Sequence, residues 1–202
     1  MVTVLADSQA RMSDAEGTLR ARELVIQCQR GSRSAFGQLY RRYQQRVRST
    51  LYQLCGQEML DDLVQEVFLK VWRGLPQLRQ PEHFSTWLYR ITWNVATDGR
   101  RQFAKRQREQ VNGKDEENSL GQISSKPQDT PDLMQIHYQD LVRRGLETLS
   151  IDHRAVLVLH DLEDLPQKEI GQILQIPVGT VKSRLHHARN AIRQFLEKQG
   201  VL

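Results

Sequence analysis

Residues 165–189 of this 202-residue chain run Leu165-Pro-Gln-Lys-Glu-Ile-Gly-Gln-Ile-Leu-Gln-Ile-Pro-Val-Gly-Thr-Val-Lys-Ser-Arg-Leu-His-His-Ala-Arg189. They have the grammar of a helix, a tight turn and a second helix. Pro166 suits the first turn of a helix, where a missing N–H costs nothing. Ile170, Ile173 and Leu174 recur three and four residues apart and so share one face. Gly171 leaves room for the next helix to approach closely, at the usual cost in helix propensity. Ile176 covers the same small core from the turn, and Pro177 holds the residue before it extended. The second helix turns Val181, Leu185, Ala188 and Ile192 inward. Its other side carries Thr180, Lys182, Ser183, Arg184, His187, Arg189 and Arg193. A helix N-terminus can meet phosphate through its unpaired N–H groups, and long basic side chains reach base edges or backbone. Residues 166–185 therefore read as a DNA-binding helix-turn-helix. The pattern alone serves a repressor as well as a polymerase subunit.

Working outward, the rest of the chain is also helical in period. Phe36, Leu39, Tyr43, Val47, Leu51 and Leu54 form one apolar stripe. Leu60, Leu63, Val64, Val67, Phe68, Val71 and Trp72 form a second, in a helix expected over residues 57–72. Gly74, Pro76 and Pro81 punctuate the chain. A third helix is expected from Ser85, a suitable N-cap, with Trp87, Leu88, Ile91 and Val95 inward. Leu141, Leu146 and Leu149, then Ala155, Val156, Leu157 and Leu159, continue the pattern beyond an acidic stretch. No alternating strand stands out. The expected fold is all-α: two small helical domains, residues 20–108 and 137–202, joined by a flexible acidic linker over 109–136 and preceded by a tail over 1–19. The linker holds Asp115-Glu116-Glu117, Ser124-Ser125, Pro127 and Pro131 with few apolar residues.

Charge divides along the same boundaries. Residues 20–108 carry 17 Lys and Arg against 7 Asp and Glu, whereas residues 109–136 carry 2 against 6. A basic first half favours a polyanion by counterion release. Cys28 and Cys55 stand far apart within apolar patterns and match no redox or zinc spacing. No apolar run approaches the length of a membrane span, and no basic-then-apolar leader opens the chain. A cytoplasmic protein without membrane insertion is expected. An enzyme is disfavoured: His186 and His187 are adjacent rather than spaced as ligands, and no Gly-rich loop carries a GK[ST] phosphate cradle. No catalytic residue, metal or cofactor is expected.

Two polar faces stand out in the basic half. Glu58, Asp62 and Glu66 recur every four residues opposite the apolar stripe, with Asp61 and Gln65 beside them. Arg90, Asn94, Thr97 and Arg101 follow a three-to-four spacing, and Arg100, Arg101, Lys105 and Arg106 add positive charge. The Asn94 amide both donates and accepts, which suits the edge of an unpaired base.

Four motifs in order resemble the extracytoplasmic-function sigma factors, the minimal branch of the sigma-70 family. GSRSAFGQLYRRYQQRV, residues 31–47, resembles the first helix of their promoter-melting domain. DDLVQEVFLKVW, residues 61–72, resembles the helix that binds the polymerase clamp. FSTWLYRITWNVATDGRR, residues 84–101, resembles the segment that melts and reads the −10 element. The helix-turn-helix resembles the module that reads the −35 element. The resemblance implies that Asp61, Asp62, Gln65 and Glu66 face a basic coiled coil of core RNA polymerase. It implies that Arg90, Asn94, Thr97, Arg100, Arg101 and Lys105 meet melted −10 DNA. It implies that Thr180, Lys182, Ser183, Arg184, His187 and Arg189 meet duplex DNA at −35.

Departures are few: Gln175 and Gly171 stand where Gly and Ala are common, Trp93 where a small or polar residue is usual, and Gly99 where a bulkier one is typical. Partners implied are core RNA polymerase, promoter DNA and, as for many relatives, an anti-sigma protein between the two domains. A monomer is expected in isolation. The competing reading is a helix-turn-helix regulator that binds duplex DNA, usually a palindrome, without being a polymerase subunit. An adaptor that binds polymerase without DNA is disfavoured by the basic second helix.

Overall fold

The computed structural model describes residues 17, 19–111 and 133–201. The expected tail, but for Gly17 and Leu19, and linker residues 112–132 lie outside them. Among the described residues every regular element is helical. Helix α1 covers 19–29. It is followed by α2 (Arg33–Cys55), α3 (Leu60–Gly74) and α4 (Phe84–Val111), then by α5 (Leu133–Glu147), α6 (Ile151–Leu157), α7 (Gln167–Leu174) and α8 (Val178–Lys198).

Local chemistry sets these boundaries. Ser32 caps α2, its hydroxyl accepting from the Ala35 N–H at 3.2 Å, which satisfies one of the donors a helix start leaves unpaired. Ser150 does the same for α6. Ser85 does not cap α4: a 3-10 turn over Pro81–His83 leads directly into Phe84, so the helix begins one residue earlier. Helix α3 begins at Leu60, which leaves Glu58 in the preceding turn rather than on the helix. Helix α4 runs to Val111 and α5 starts at Leu133, so both reach into the span 109–136 expected as linker. The basic residues after Arg100 are good helix formers, and Lys105 pairs with Glu109 one turn on at 3.8 Å.

Helices α2, α3 and α4 pack around Leu39, Val47, Leu51, Val67, Val71 and Leu88, all fully buried. Tyr43 meets Phe84 edge-on with ring centroids 5.3 Å apart. The thiols behave as small hydrophobes: burial raises the pKa of both, that of Cys55 to about 11.

The second unit is not separate from the first. Helix α4 packs on α7, and one contiguous core runs from α1 through α4 into α6, α7 and α8. A four-helix unit of this size buries too little surface to be generous in stability, and here it shares apolar area with its neighbour. A smaller cluster of Leu146, Leu149, Val158 and Ala188 sits beneath α5. Between α6 and α7 the helix widens into one π turn over Val158–Leu162.

The departures at glycine and near the turn have physical causes. A Cβ on Gly171 would stand 2.9 Å from the Ile176 carbonyl oxygen, so the turn between α7 and α8 closes against that bare backbone. A Cβ on Gly99 would stand 2.7 Å from Leu63 Cδ2, because Leu63 and Met59 fill the space between α3 and α4. Gln175 is left-handed, at φ 58° and ψ 43°, and ends α7 where glycine would carry no Cβ penalty.

Two helical glycines should respond to alanine with opposite signs. At Gly37 in α2 a Cβ meets nothing within 4 Å, so Gly37→Ala should raise stability by about 0.5–1 kcal/mol. At Gly171 overpacking of about 1–3 kcal/mol should exceed that gain and lower stability. Urea unfolding of the two variants measures both, and a gain at Gly171 would show that the turn relaxes freely.

Candidate functional site

Three surfaces carry the residues that the sequence singles out. The first lies where α2 and α3 meet. With 100° between successive helical residues, Asp61 and Gln65 stand toward α2 while Asp62 and Glu66 stand on the far side of the exposed face. A groove of about 470 Å³ is lined by Phe36, Tyr40, Asp61, Gln65, Leu69 and Trp72, with Val64 and Phe68 at its floor. Phe36 meets Trp72 at 4.8 Å and Tyr40 meets Phe68 at 4.6 Å, both edge to face. Tyr40, Leu69 and Trp72 are more than a third exposed. Exposed apolar side chains beside acidic ones mark an interaction surface. The sequence reading found the acidic half of this surface and missed the aromatic half. Trp72, counted with the inward stripe of α3 in the sequence, stands partly exposed at its edge, and only Leu69 lies off that stripe by spacing.

The acidic residues are not alike. Asp61 pairs with Arg48 of α2, and Glu66 with Lys70 at 2.9 Å. Asp62 and Glu58 make no ion pair among the described residues and are exposed. Asp62, on the helix, and Glu58, in the turn before it, are thus the carboxylates most available to an outside cation.

The second surface is the exposed edge of α4. Arg90, Asn94, Thr97, Arg101 and Lys105 fall within about a quarter turn of one another and extend along roughly 22 Å of helix. Arg90, Asn94, Arg101 and Lys105 are exposed, and Thr97 is half-buried with its hydroxyl donating to the Asn94 carbonyl at 2.9 Å. Arg100 is not part of this stripe. It turns toward α2 and donates to the Leu54 carbonyl at 2.9 Å, where it completes the C-terminal end of that helix. Trp93 packs against the core at the edge of the stripe.

The third surface is the outer side of α8. Pro177 precedes the helix and supplies no side-chain cap, so the first N–H groups point outward. Lys182, Ser183 and His187 are exposed and Thr180 is half-buried. Ser183 donates back to the Thr180 carbonyl at 3.2 Å. Arg184 is half-buried and pairs with Asp152 of α6 at 2.8 Å. Arg189 faces the opposite flank, where its Nε donates to Asp161 at 3.1 Å at the rim of an apolar groove between α5 and α8. The hydrogen bonds from Arg189 hold the Asp161 carboxyl below its usual range, with His160 adding to the effect. Lys182, Ser183 and His187 share the exposed side, while Arg184 and Arg189 are held by carboxylates of the second unit. Residue spacing could not separate these two groups, because their partners lie outside the motif.

His153, His186 and His187 cluster at the same end, with His153 and His187 rings 6.1 Å apart. Among the described residues no group of three or more His, Cys, Asp or Glu could hold a metal ion. No described helix is long and apolar enough to cross a membrane.

Comparison with known proteins gives these surfaces a context. Residues 39–107 match the family model for sigma-70 region 2, and residues 139–192 that for sigma-70, region 4. The chain is 32% identical over 177 residues to the ECF RNA polymerase sigma-E factor of Haemophilus influenzae, covering 86% of this chain and 94% of the relative. It is 35% identical over 176 residues to the ECF RNA polymerase sigma-E factor of Escherichia coli K12, covering 84% and 90%. Its fold is similar to that of CnrH, solved in complex with the cytosolic domain of CnrY. The TM-score is 0.65 at 23% identity, over 89% of this chain and 98% of the other. It is also similar to the sigma factor RpoE of Bartonella quintana, solved with the anti-sigma factor NepR. There the TM-score is 0.62 at 24% identity, over 80% and 96%.

Lys182 and Arg189 should differ in salt dependence. Lys182→Ala should flatten the slope of log K against log salt for duplex binding by about one unit, and Arg189→Ala by much less. Arg189→Ala should instead remove stability that Asp161 supplies. Because the folded carboxyl is depressed, that contribution is present above the ordinary carboxylate pKa and fades as pH falls through the folded value. The parent and the variant should therefore converge in stability under acid, and a constant gap across pH would contradict the assignment.

Proposed function

We propose a division of labour among three surfaces of a chain that belongs to the extracytoplasmic-function (ECF) RNA polymerase sigma factors. Such a protein directs core polymerase to promoters and is not itself an enzyme. The groove between α2 and α3 receives the polymerase clamp. Its aromatic half supplies burial, and Asp62 with its acidic neighbours supplies the field that steers a basic partner and fixes register. The stripe on α4 holds melted −10 DNA, with Asn94 against an unpaired base edge and Arg90, Arg101 and Lys105 on phosphates. Capturing a base costs a few kcal/mol of lost stacking, which these contacts offset. The outer side of α8 reads the −35 duplex, led by Lys182, Ser183 and His187, with Thr180 and the helix start on phosphate.

The observation that supports this reading most is the placement of both nucleic-acid stripes on the same chain as an acidic, aromatic groove that faces away from the core. A duplex-binding regulator needs the third surface but has no use for the first. Arg100, Arg184 and Arg189 act on DNA only indirectly, since each already serves a partner within the chain. The protein works in the cytoplasm, where its polymerase is. An anti-sigma protein is a further partner; the RpoE structure was solved with one.

Asp62→Lys combined with Glu66→Lys should weaken core binding at least tenfold, about 1.4 kcal/mol, without unfolding the chain. Leu69→Glu should do the same from the apolar side. Asn94→Ala should retain core affinity yet lose permanganate reactivity of promoter thymines. Normal bubbles with Asn94→Ala would assign base capture to another residue.

A further inference from the structure

Three imidazoles meet on the outer side of α8, of which only His187 belongs to the −35 surface assigned above. Val181, Leu185 and Ala188 mark the buried line of the helix. At 100° per residue, His186 and His187 stand about 50° on either side of the direction opposite that line. Both are exposed. Their rings lie 5.7 Å apart, and the His187 ring lies 6.1 Å from that of His153, in the first turn of α6. Two helices thus contribute to one imidazole surface, with Ser183 between His186 and His187 around the helix and Lys182 at its edge.

The partners of these rings serve either protonation state. The Ser150 hydroxyl lies 2.7 Å from His153 Nδ1, and the Asn190 amide 2.9 Å from His186 Nε2. A hydroxyl or an amide can turn to donate to a neutral ring or to accept from a charged one. The carboxylates of the surrounding elements are engaged elsewhere. Asp152 of α6 is held by Arg184 at 2.8 Å, and Asp140 and Glu147 of α5 pair with Arg143. Lys168 and Glu169 open α7, with Glu169 accepting from Thr86 of α4. His160 makes the contrast, since Asp161 holds it at 2.7 Å. Within two turns of the pair, the charges of α8 itself are Lys182, Arg184, Arg189 and Arg193, all positive. Among the described residues no carboxylate pairs with the three rings, so a DNA phosphate would be the first anion to reach them.

We propose that His153, His186 and His187 form a proton-linked phosphate clamp, so that duplex binding by α8 takes up protons and tightens as pH falls. The proposal rests on the reading of α8 as the −35 surface. Histidine changes charge between about pH 5 and 8, and a nearby phosphate favours the charged ring over the neutral one. Each ring that is neutral in the free chain and charged in the complex adds one proton to the binding equilibrium. Affinity therefore rises with acidity until the rings are charged in both states. Contacts to phosphate carry no sequence information, so the added charge strengthens all duplexes alike. The chain then occupies weaker −35 elements under acid than at neutral pH.

The test uses the full chain and a fluorescent duplex of mixed sequence and about 30 base pairs, titrated at low salt. The parent should bind at least about fivefold more tightly at about pH 6 than at about pH 8, with a steeper dependence of log K on log salt. A chain with His153→Gln, His186→Gln and His187→Gln, which keeps His83, His137 and His160, should lose most of that gain. His186→Arg with His187→Arg should bind under both conditions as tightly as the parent does under acid, a gain that misfolding could not produce. The same pH response in the parent and the glutamine variant, or no binding at either pH, overturns the clamp. Lys182→Ala separates this failure from failure of the underlying reading. If it weakens binding while the glutamine variant keeps the parent's pH response, α8 remains the DNA surface and only the clamp falls. If neither Lys182→Ala nor the histidine changes alter binding, the reading of α8 is itself at fault.

Discussion

Helix α4 is the element on which everything else depends, because one helix must satisfy three apolar neighbours and still offer a polar edge. Its inner side packs on α2 and α3, a second side packs on α7, and the remaining strip carries Arg90, Asn94, Arg101 and Lys105. A 3.6-residue period leaves about a quarter of the circumference for that strip. Gly99 shows how tight the fit is, since Leu63 occupies the space a side chain would need. The base-binding edge proposed for this strip would need a rigid support, and the buried faces of α4 supply one.

The arginines divide by the partners the fold gives them. Arg100 and Arg154 converge on the Leu54 carbonyl, Arg184 is held by Asp152, and Arg189 by Asp161. These side chains hold helices in place. Arg90, on α4, and Lys182, on α8, project from exposed positions and are free to exchange counterions for phosphate. Net charge alone would count all of them alike. The acidic residues divide in the same manner, with Asp61 engaged by Arg48 and Asp62 exposed.

Most of the helical framework was legible in the sequence, because apolar residues at three-to-four spacing dictate which face of each helix is buried. Leu39, Val47, Leu51, Val67, Leu88, Ile170 and Val181 all lie where the period puts them. The helix-turn-helix was legible for the same reason, with Gly171 and Pro177 marking its turn. Boundaries were less so: the turn over Pro81–His83 overrides Ser85 as a cap, and the helical run after Arg100 outlasts the change in composition. The acidic half of the α3 surface was visible as a charge row, whereas its aromatic half emerged only when Phe36 and Tyr40 of α2 were brought beside Trp72. The contact between the two units was invisible. Glu163 accepts from the hydroxyls of Thr50 and Tyr89, both distant in sequence, and no periodicity links a turn carboxylate to a buried hydroxyl. A reading based on each helix alone treats the two units as independent.

The central claim is that this chain gives core RNA polymerase its promoter choice through two separated DNA-reading surfaces. The most direct measurement is transcription from a fragmented library of the source genome by bacterial core polymerase, with and without the chain. The account predicts start sites that arise only with the chain and share two elements at a fixed spacing, near −35 and −10. Transcription unchanged by a folded, inhibitor-free chain, together with tight binding to palindromic duplexes in the absence of polymerase, would contradict it.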